Sequence, residues 1–318
     1  MESLENQTFK DFETLVVPDS QDTMASMENH LHSWRRYDAN VALLPPPPHV
    51  GASAARNAAA GRARGDLLGF LDDDVVLDTD WCRLAVMTLI DASVGGVSGR
   101  AEVQAGPFSV THVPRALAWV VGGSYWKTDR VSSVLGAAGM NFCINREVFL
   151  GVGGYDEALG PRGDRHTYSW LRLGAEESDL ALRIVIFAGM KVLFNPSMVV
   201  WHRLRRDSLM PSGLIKRSMH VGHNRAYIHA RYPKRGQWND SRVVRDLGAI
   251  ITSTPSVALR HPGFVWKRLA FSCTVIVSFG LGYLLGILQF RTKRDHKNRR
   301  WSAHSSKSAL ICSVSGKR

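Results

Sequence analysis

Apolar residues in this chain gather into short blocks separated by turn-forming residues, and only one block is long. The block Leu67-Leu68-Gly69-Phe70-Leu71 leaves no room for helical amphipathicity and reads as a buried strand. It runs into Asp72-Asp73-Asp74, and consecutive aspartates resist both helix and strand, so the strand stops there. Upstream, residues 1–12 read as the tail of a helix with Leu4 and Phe9 as apolar points. Phe12–Val17 is β-rich and ends in the turn Pro18-Asp19-Ser20-Gln21-Asp22. A helix to about Arg36, a short strand at Val41–Leu44 and an extended link at Pro45–Pro48 follow. Ser53 is the expected N-cap of the Ala-rich run to Arg64, with Gly65 as its C′ residue.

Beyond the aspartates, Asp78 or Thr79 is expected to cap a helix from Trp81 to Asp91, before a strand from Val94 to Glu102. Gly122–Ser133 is a polar, aromatic loop, and Gly136-Ala137-Ala138-Gly139 is small enough for close approach of a ligand or backbone. Asn141–Ile144 predicts a strand, Arg146–Leu150 a helical turn, and Gly151–Gly160 a glycine-punctuated turn around Tyr155-Asp156. Glu176-Glu177-Ser178-Asp179 opens a helix that Gly189 ends. Two short strands, Lys191–Phe194 and Met198–Trp201, are then separated by the turn Asn195-Pro196-Ser197, and the second reaches His202. Alternating helices and strands with no fixed repeat place the chain in the α/β class, a mixed sheet flanked by helices.

The last third changes character. Arg203, Arg205, Arg206, Lys216, Arg217 and Arg225 lie among Leu, Ile, Met and Tyr, as in a basic helix at a lipid surface or a solvated one. Leu269–Phe290 carries no charge and has the length of a bilayer crossing; a buried core helix is the other reading. Lys267 and Arg268 precede it, and Arg291, Lys293 and Arg294 follow. The implied organisation is a domain over 1–203, a basic helical segment over 204–262, a transmembrane helix with flanks over 263–294, and a disordered basic tail over 295–318.

Composition narrows the partners. With 45% hydrophobic residues a sizeable core is available. A formal charge of +12 calls for an anionic partner: nucleic acid, lipid or phosphorylated substrate. Nucleic acid is the weakest of these, because the basic excess clusters around the apolar block rather than interleaving with aromatics on one face. Cys82, Cys143, Cys273 and Cys312 have no zinc spacing and fit free thiols in a reducing compartment. The N-terminus is polar and acidic, unlike a signal peptide.

Packed carboxylates at a strand end are either a solvated turn or a site for a hard cation such as Mg2+ or Mn2+, which in turn suits a diphosphate. The acids at 176–179 either cap their helix or act on a substrate. With these pieces in order, the sequence resembles the family 2 glycosyltransferases, inverting nucleotide-sugar enzymes of the GT-A fold, from residue 1 to about His202. The segments that carry the resemblance are ESLENQTFKDFETLVV (2–17), Ala55-Arg56-Asn57 with Gly61 and Gly65, and Phe70–Asp74 with Trp81. They continue in GMNFCINREVFLGVGGY (139–155) and EESDLALR (176–183). The resemblance implies a divalent metal at Asp72 and Asp74, with His202 as a third ligand, and nucleotide-sugar contacts from Asp19, Arg56, Asp72 and Asp73. It implies a general base at Glu177, with Glu176 and Asp179 as alternates.

The chain departs from that family in two respects. The family's first strand, with its Pro–aromatic–Asn turn, is not seen before residue 2. That strand lies centrally, between the strands at 12–17 and 67–71, whose facing edges would otherwise lack partners. Pro18 also precedes the expected base-contacting acid Asp19. The expectation is a membrane-attached enzyme on the cytoplasmic face, building a lipid- or polymer-linked glycan of the cell envelope. The alternative is a degenerate, membrane-bound assembly partner.

Overall fold

The computed structural model describes residues 1–18, 24–25, 27–29, 40–47, 51–104, 113–124, 128–160, 174–203, 209–233, 262–292 and 309–314. They divide into two units: Met1–Arg100 with Thr128–Trp201 and Arg299–Arg318, and Ala101–Lys127 with His202–Asn298. The boundary expected at 203 is therefore crossed by 101–127, which clusters with the C-terminal helices.

The first unit is built on a mixed sheet. Its elements are α1 (Glu2–Glu5), β1 (Phe12–Val17), β2 (Val41–Leu43), α2 (Ala52–Arg62), β3 (Leu67–Leu71), β4 (Val75–Leu77) and α3 (Trp81–Leu89). They continue with β5 (Val94–Gln104), β6 (Ser132–Ser133), β7 (Asn141–Asn145), α4 (Arg146–Gly151), α5 (Glu176–Arg183), β8 (Lys191–Arg203) and β9 (Ala309–Val314). The strand order is β2-β1-β9-β3-β7-β5-β8-β4, with β6 on β8. All residues of β1 and β3 are buried, as expected of central strands with near-continuous apolar runs.

The position that the resemblance gives to a first strand is occupied by β9. It pairs antiparallel with β1, Phe12 opposite Val314 through Val17 opposite Ala309. It also pairs antiparallel with β3, Leu67 opposite Val314 through Leu71 opposite Leu310. The disordered tail expected over 295–318 is thus corrected for 309–314. Two buried strand edges demand backbone partners, and Ala309-Leu310-Ile311-Cys312-Ser313-Val314 supplies both rows.

Other local expectations also yield to longer-range contacts. Ser53 is not a cap: Gly51 takes that place, and the Ser53 hydroxyl donates to the Leu159 carbonyl at 2.8 Å. Neither Asp78 nor Thr79 caps α3, whose N-cap is Asp80. Gln7 accepts from the Cys82 backbone N–H at 2.9 Å and donates to the Asp78 carbonyl at 2.7 Å, tying α1 to that helix start. The two strands expected on either side of Pro196 are one, β8; Asn195 accepts from the Ser197 N–H and donates to Thr88, holding the chain extended past the proline. Asn141 is a fully buried hub, accepting from the Trp81 indole at 2.7 Å and donating to the carbonyls of Arg100 and Met198.

The second unit contains a 3₁₀ segment (Arg115–Val121) and two long helices, α6 (Pro211–Arg231) and α7 (Pro262–Thr292). Ala116, Leu117, Val120, Val121, Leu214, Phe271 and Val275 form its apolar core.

Candidate active site

β3 ends where Asp72 begins, and the turn into β4 presents three carboxylates at the strand's carboxyl end, the place where open α/β sheets bind ligands. Asp73 is exposed; Asp72 and Asp74 are half-buried, and Asp74 buries one carboxylate oxygen. Beside them stands Arg56, delivered by α2 and 4% exposed. Its Nη2 lies 2.9 Å from Asp72 Oδ1, and its Nη1 lies 3.5 Å from Glu177 Oε1 and 3.9 Å from Glu176 Oε1. One guanidinium therefore joins the strand-end acids to the start of α5.

Tyr155 forms the floor under Arg56, its ring centroid 5.3 Å from the guanidinium carbon. Phe70 and Phe149 pack on that ring at 5.1 and 5.7 Å, so the β3 core fixes the floor. Asn57 clamps the Tyr155 backbone from both sides, donating to its carbonyl at 2.9 Å and accepting from its N–H at 2.8 Å. Two glycines leave room for the acids. A Cβ on Gly139 would run into the Glu177 carboxylate and come within 3.0 Å of Arg56 Nη2. Gly160, at φ +100°, lies against the Glu176 carboxyl and the Ser53 hydroxyl.

The acids of α5 are not equivalent. Asp179 is fully buried and pairs with Arg183 at 2.8 Å, one turn on; Arg183 also donates to the Val152 carbonyl. That pair anchors the helix. Burial pushes the Glu176 carboxyl well above the ordinary glutamate range, and repulsion from Glu177 raises it further, against Arg56. Glu177 is raised too, by burial first, with Arg56 opposing. The hydrogen bond between them raises Glu176 and lowers Glu177, so Glu177 is the more readily ionised of the two. Glu177 also keeps 21% of its side chain exposed against 4% for Glu176. Arg56 itself is held firmly charged: burial works against the cation, and Tyr155, Asp72, Glu177 and Glu176 outweigh it.

Of the remaining sequence candidates, Asp19 lies outside the described residues. His202, at the end of β8, belongs to the second unit, where its ring packs over Gly122. Among the described residues no three His, Cys, Asp or Glu side chains converge as a metal cage. Asp72 and Asp74 instead offer two oxygen donors flanking Asp73, a set that suits a hard ion completed by diphosphate oxygens and water. Sequence reasoning passed over Tyr155 as a site residue; its signal was an aromatic inside a glycine-rich turn, which gains meaning only with Arg56 above it.

Arg56 is the counter-ion for three acids, so Arg56→Met will cost about 3–5 kcal/mol in urea unfolding. The deficit will be larger at pH 8 than at pH 5. Glutamates with raised folded-state pKa values add stability below their unfolded value and lose it as pH rises through the folded one.

Residues 1–149 match the family description "Glycosyl transferase family 2". The fold is of the GT-A type. It is 25% identical over 295 residues to the glucosyl-dolichyl phosphate glucuronosyltransferase of Haloferax volcanii, spanning 91% of this chain and 90% of that one. It is 26% identical over 223 residues to the succinoglycan biosynthesis protein ExoM of Rhizobium meliloti, spanning 67% of this chain and 66% of that one. Its fold resembles the mannosyltransferase PcManGT of Pyrobaculum calidifontis, solved with GDP-Man and Mn2+. The TM-score is 0.53 at 18% identity, over 89% of this chain and 81% of that one.

Proposed function

We propose that the chain moves a sugar from a nucleoside-diphosphate sugar to a lipid- or polymer-linked glycan acceptor, with inversion at the anomeric carbon. The observation that carries this reading is the bridge from Asp72 through Arg56 to Glu177, which sets a donor-side acid and a base candidate around one cation. Glu177 takes the proton of the acceptor hydroxyl while the hydroxyl oxygen bonds to the anomeric carbon; the bond to the diphosphate breaks, and its electrons leave with the phosphate. Attack from the face opposite the leaving group inverts the centre. Arg56 favours the charged form of Glu177 and holds its orientation, with the more deeply buried Glu176 beside it. Asp72 and Asp74 would hold a divalent ion, which when bound neutralises charge on the leaving diphosphate.

A lipid-linked acceptor is supported by the name of the Haloferax relative and by α7, whose stretch Val265–Phe290 is long and apolar enough to cross a membrane. The free thiols Cys82, Cys143 and Cys273 support the cytoplasmic face. The test is a thermal-shift screen of UDP-, GDP- and dTDP-sugars with Mn2+, followed by donor hydrolysis and transfer assays. Asp74→Ala should abolish the Mn2+-dependent shift and lower turnover by at least about 10²-fold while the unliganded melting temperature holds. Full activity in Asp74→Ala would remove the metal role. A wild-type chain that binds no nucleotide sugar would favour the assembly partner.

A further inference from the structure

The reading of α7 as a bilayer crossing meets two obstacles in the structure. The first is its partner. Leu214 shares a core with Phe271 and Val275. Gly282 lies on the Met219 backbone, Gly222 on that of Phe279, and Gly286 on His223 and Ala226. Tyr227 meets Phe290 at 5.4 Å. From Leu214 near Phe271 and Val275 to Tyr227 on Phe290 the numbers rise on both helices, so α6 and α7 run parallel and occupy the same depth. Between them, His223 reaches Gln289 at 2.7 Å and His229 reaches the Tyr283 hydroxyl at 2.8 Å. α6 also carries Lys216, Arg217, Arg225 and Arg231. A slab of hydrocarbon crossed by α7 would enclose these charges, at about 2.5–3.5 kcal/mol for each near its centre.

The second obstacle is connectivity. β9 follows α7 and lies inside the sheet of the first unit, between β1 and β3. α7 has 31 residues, about 46 Å of helix against a hydrocarbon core of about 30 Å. If α7 crossed, residues 293–308 would have to bring the chain back through the same bilayer. That link includes Lys293, Arg294, Lys297, Arg299 and Arg300 and has no apolar run to do so.

The surface of α7 offers a consistent alternative. Val277, Leu281, Leu284 and Leu288 are 67, 49, 59 and 66% exposed and recur at helical spacing on one stripe, with Trp266 near its start. Lys267 and Arg268 flank the stripe at one end, and Arg291, Lys293 and Arg294 at the other. We propose that α7 lies in a single leaflet of an anionic bilayer, its exposed stripe in the acyl region and α6 on the water side, so that both chain ends stay on one face. This rests on the membrane reading above and refines it from a spanning to a monotopic attachment.

The test uses the full chain with short protease-cleavable tags at both ends, expressed in bacteria, with sealed inside-out vesicles and spheroplasts compared. Both tags should be cut from the cytoplasmic face and neither from the outside; one tag on each side overturns the proposal. Purified protein should float with phosphatidylglycerol vesicles. Leu281→Glu with Leu288→Glu should cut the bound fraction at least about tenfold without moving the melting temperature, since both side chains are exposed. Undiminished flotation of that variant, or no flotation of the wild type, also overturns it. Nucleotide-sugar binding is read separately, so a failed transferase assay leaves the topology result standing.

Discussion

Glu177→Gln will lower the turnover of sugar transfer by roughly 10²–10⁴-fold while leaving donor binding within about twofold. The amide keeps the volume and the contact with Arg56 but cannot take a proton. Wild-type kcat/KM should rise with pH through an apparent pKa above the ordinary glutamate value of 4.5, because burial raises this carboxyl and a base must be ionised to act. In Glu177→Gln that limb should vanish. Steady-state kinetics over a pH series check both statements. A variant that keeps the wild-type rate and profile would pass the role to another group. Glu176, 4% exposed and raised well above the usual carboxylate range by burial and by Glu177, is poorly suited, and Asp179 is committed to Arg183.

Ile311→Pro will unfold the first unit or destabilise it by about 3 kcal/mol or more. Ile311 stands opposite Leu15 on one side and Phe70 on the other, in the middle of the sheet. Proline removes a backbone donor and is excluded from central strands. The effect reaches the site, since β3 carries Asp72 at its end and Phe70 supports Tyr155. Lys317→Pro, past the last residue of β9, should leave the melt unchanged. Urea melts and hydrogen exchange at the β1 and β3 amides decide the matter. Unchanged protection of those amides in Ile311→Pro would mean that β9 does not hold the slot.

The acids were legible one by one; their environments were not. Strand Leu67–Leu71 and the stop at Asp72 follow from a short apolar run meeting residues that repel one another, which is local information. The start of α5 at Glu176 is equally local. Which acid ionises more readily is not: Glu176 and Glu177 are neighbours of the same type, and only their burial and their distances to Arg56 separate them. The capping choices at Ser53 and Asp78 failed for a related reason. The Ser53 hydroxyl bonds Leu159, and Gln7 takes the Cys82 N–H at the start of α3; both partners lie far off in sequence.

By itself the sequence determined the α/β class, the strand that ends in carboxylates, the acidic helix start and the long apolar helix, because each is written in the period and chemistry of consecutive residues. The tertiary structure alone decided that Ala309–Val314 fills the central strand position, that Arg56 and Tyr155 join the two acidic groups, and that α7 has a charged parallel partner. Strand pairing and ion pairing join residues from opposite ends of the chain, and the free energy of such contacts depends on what else is buried beside them.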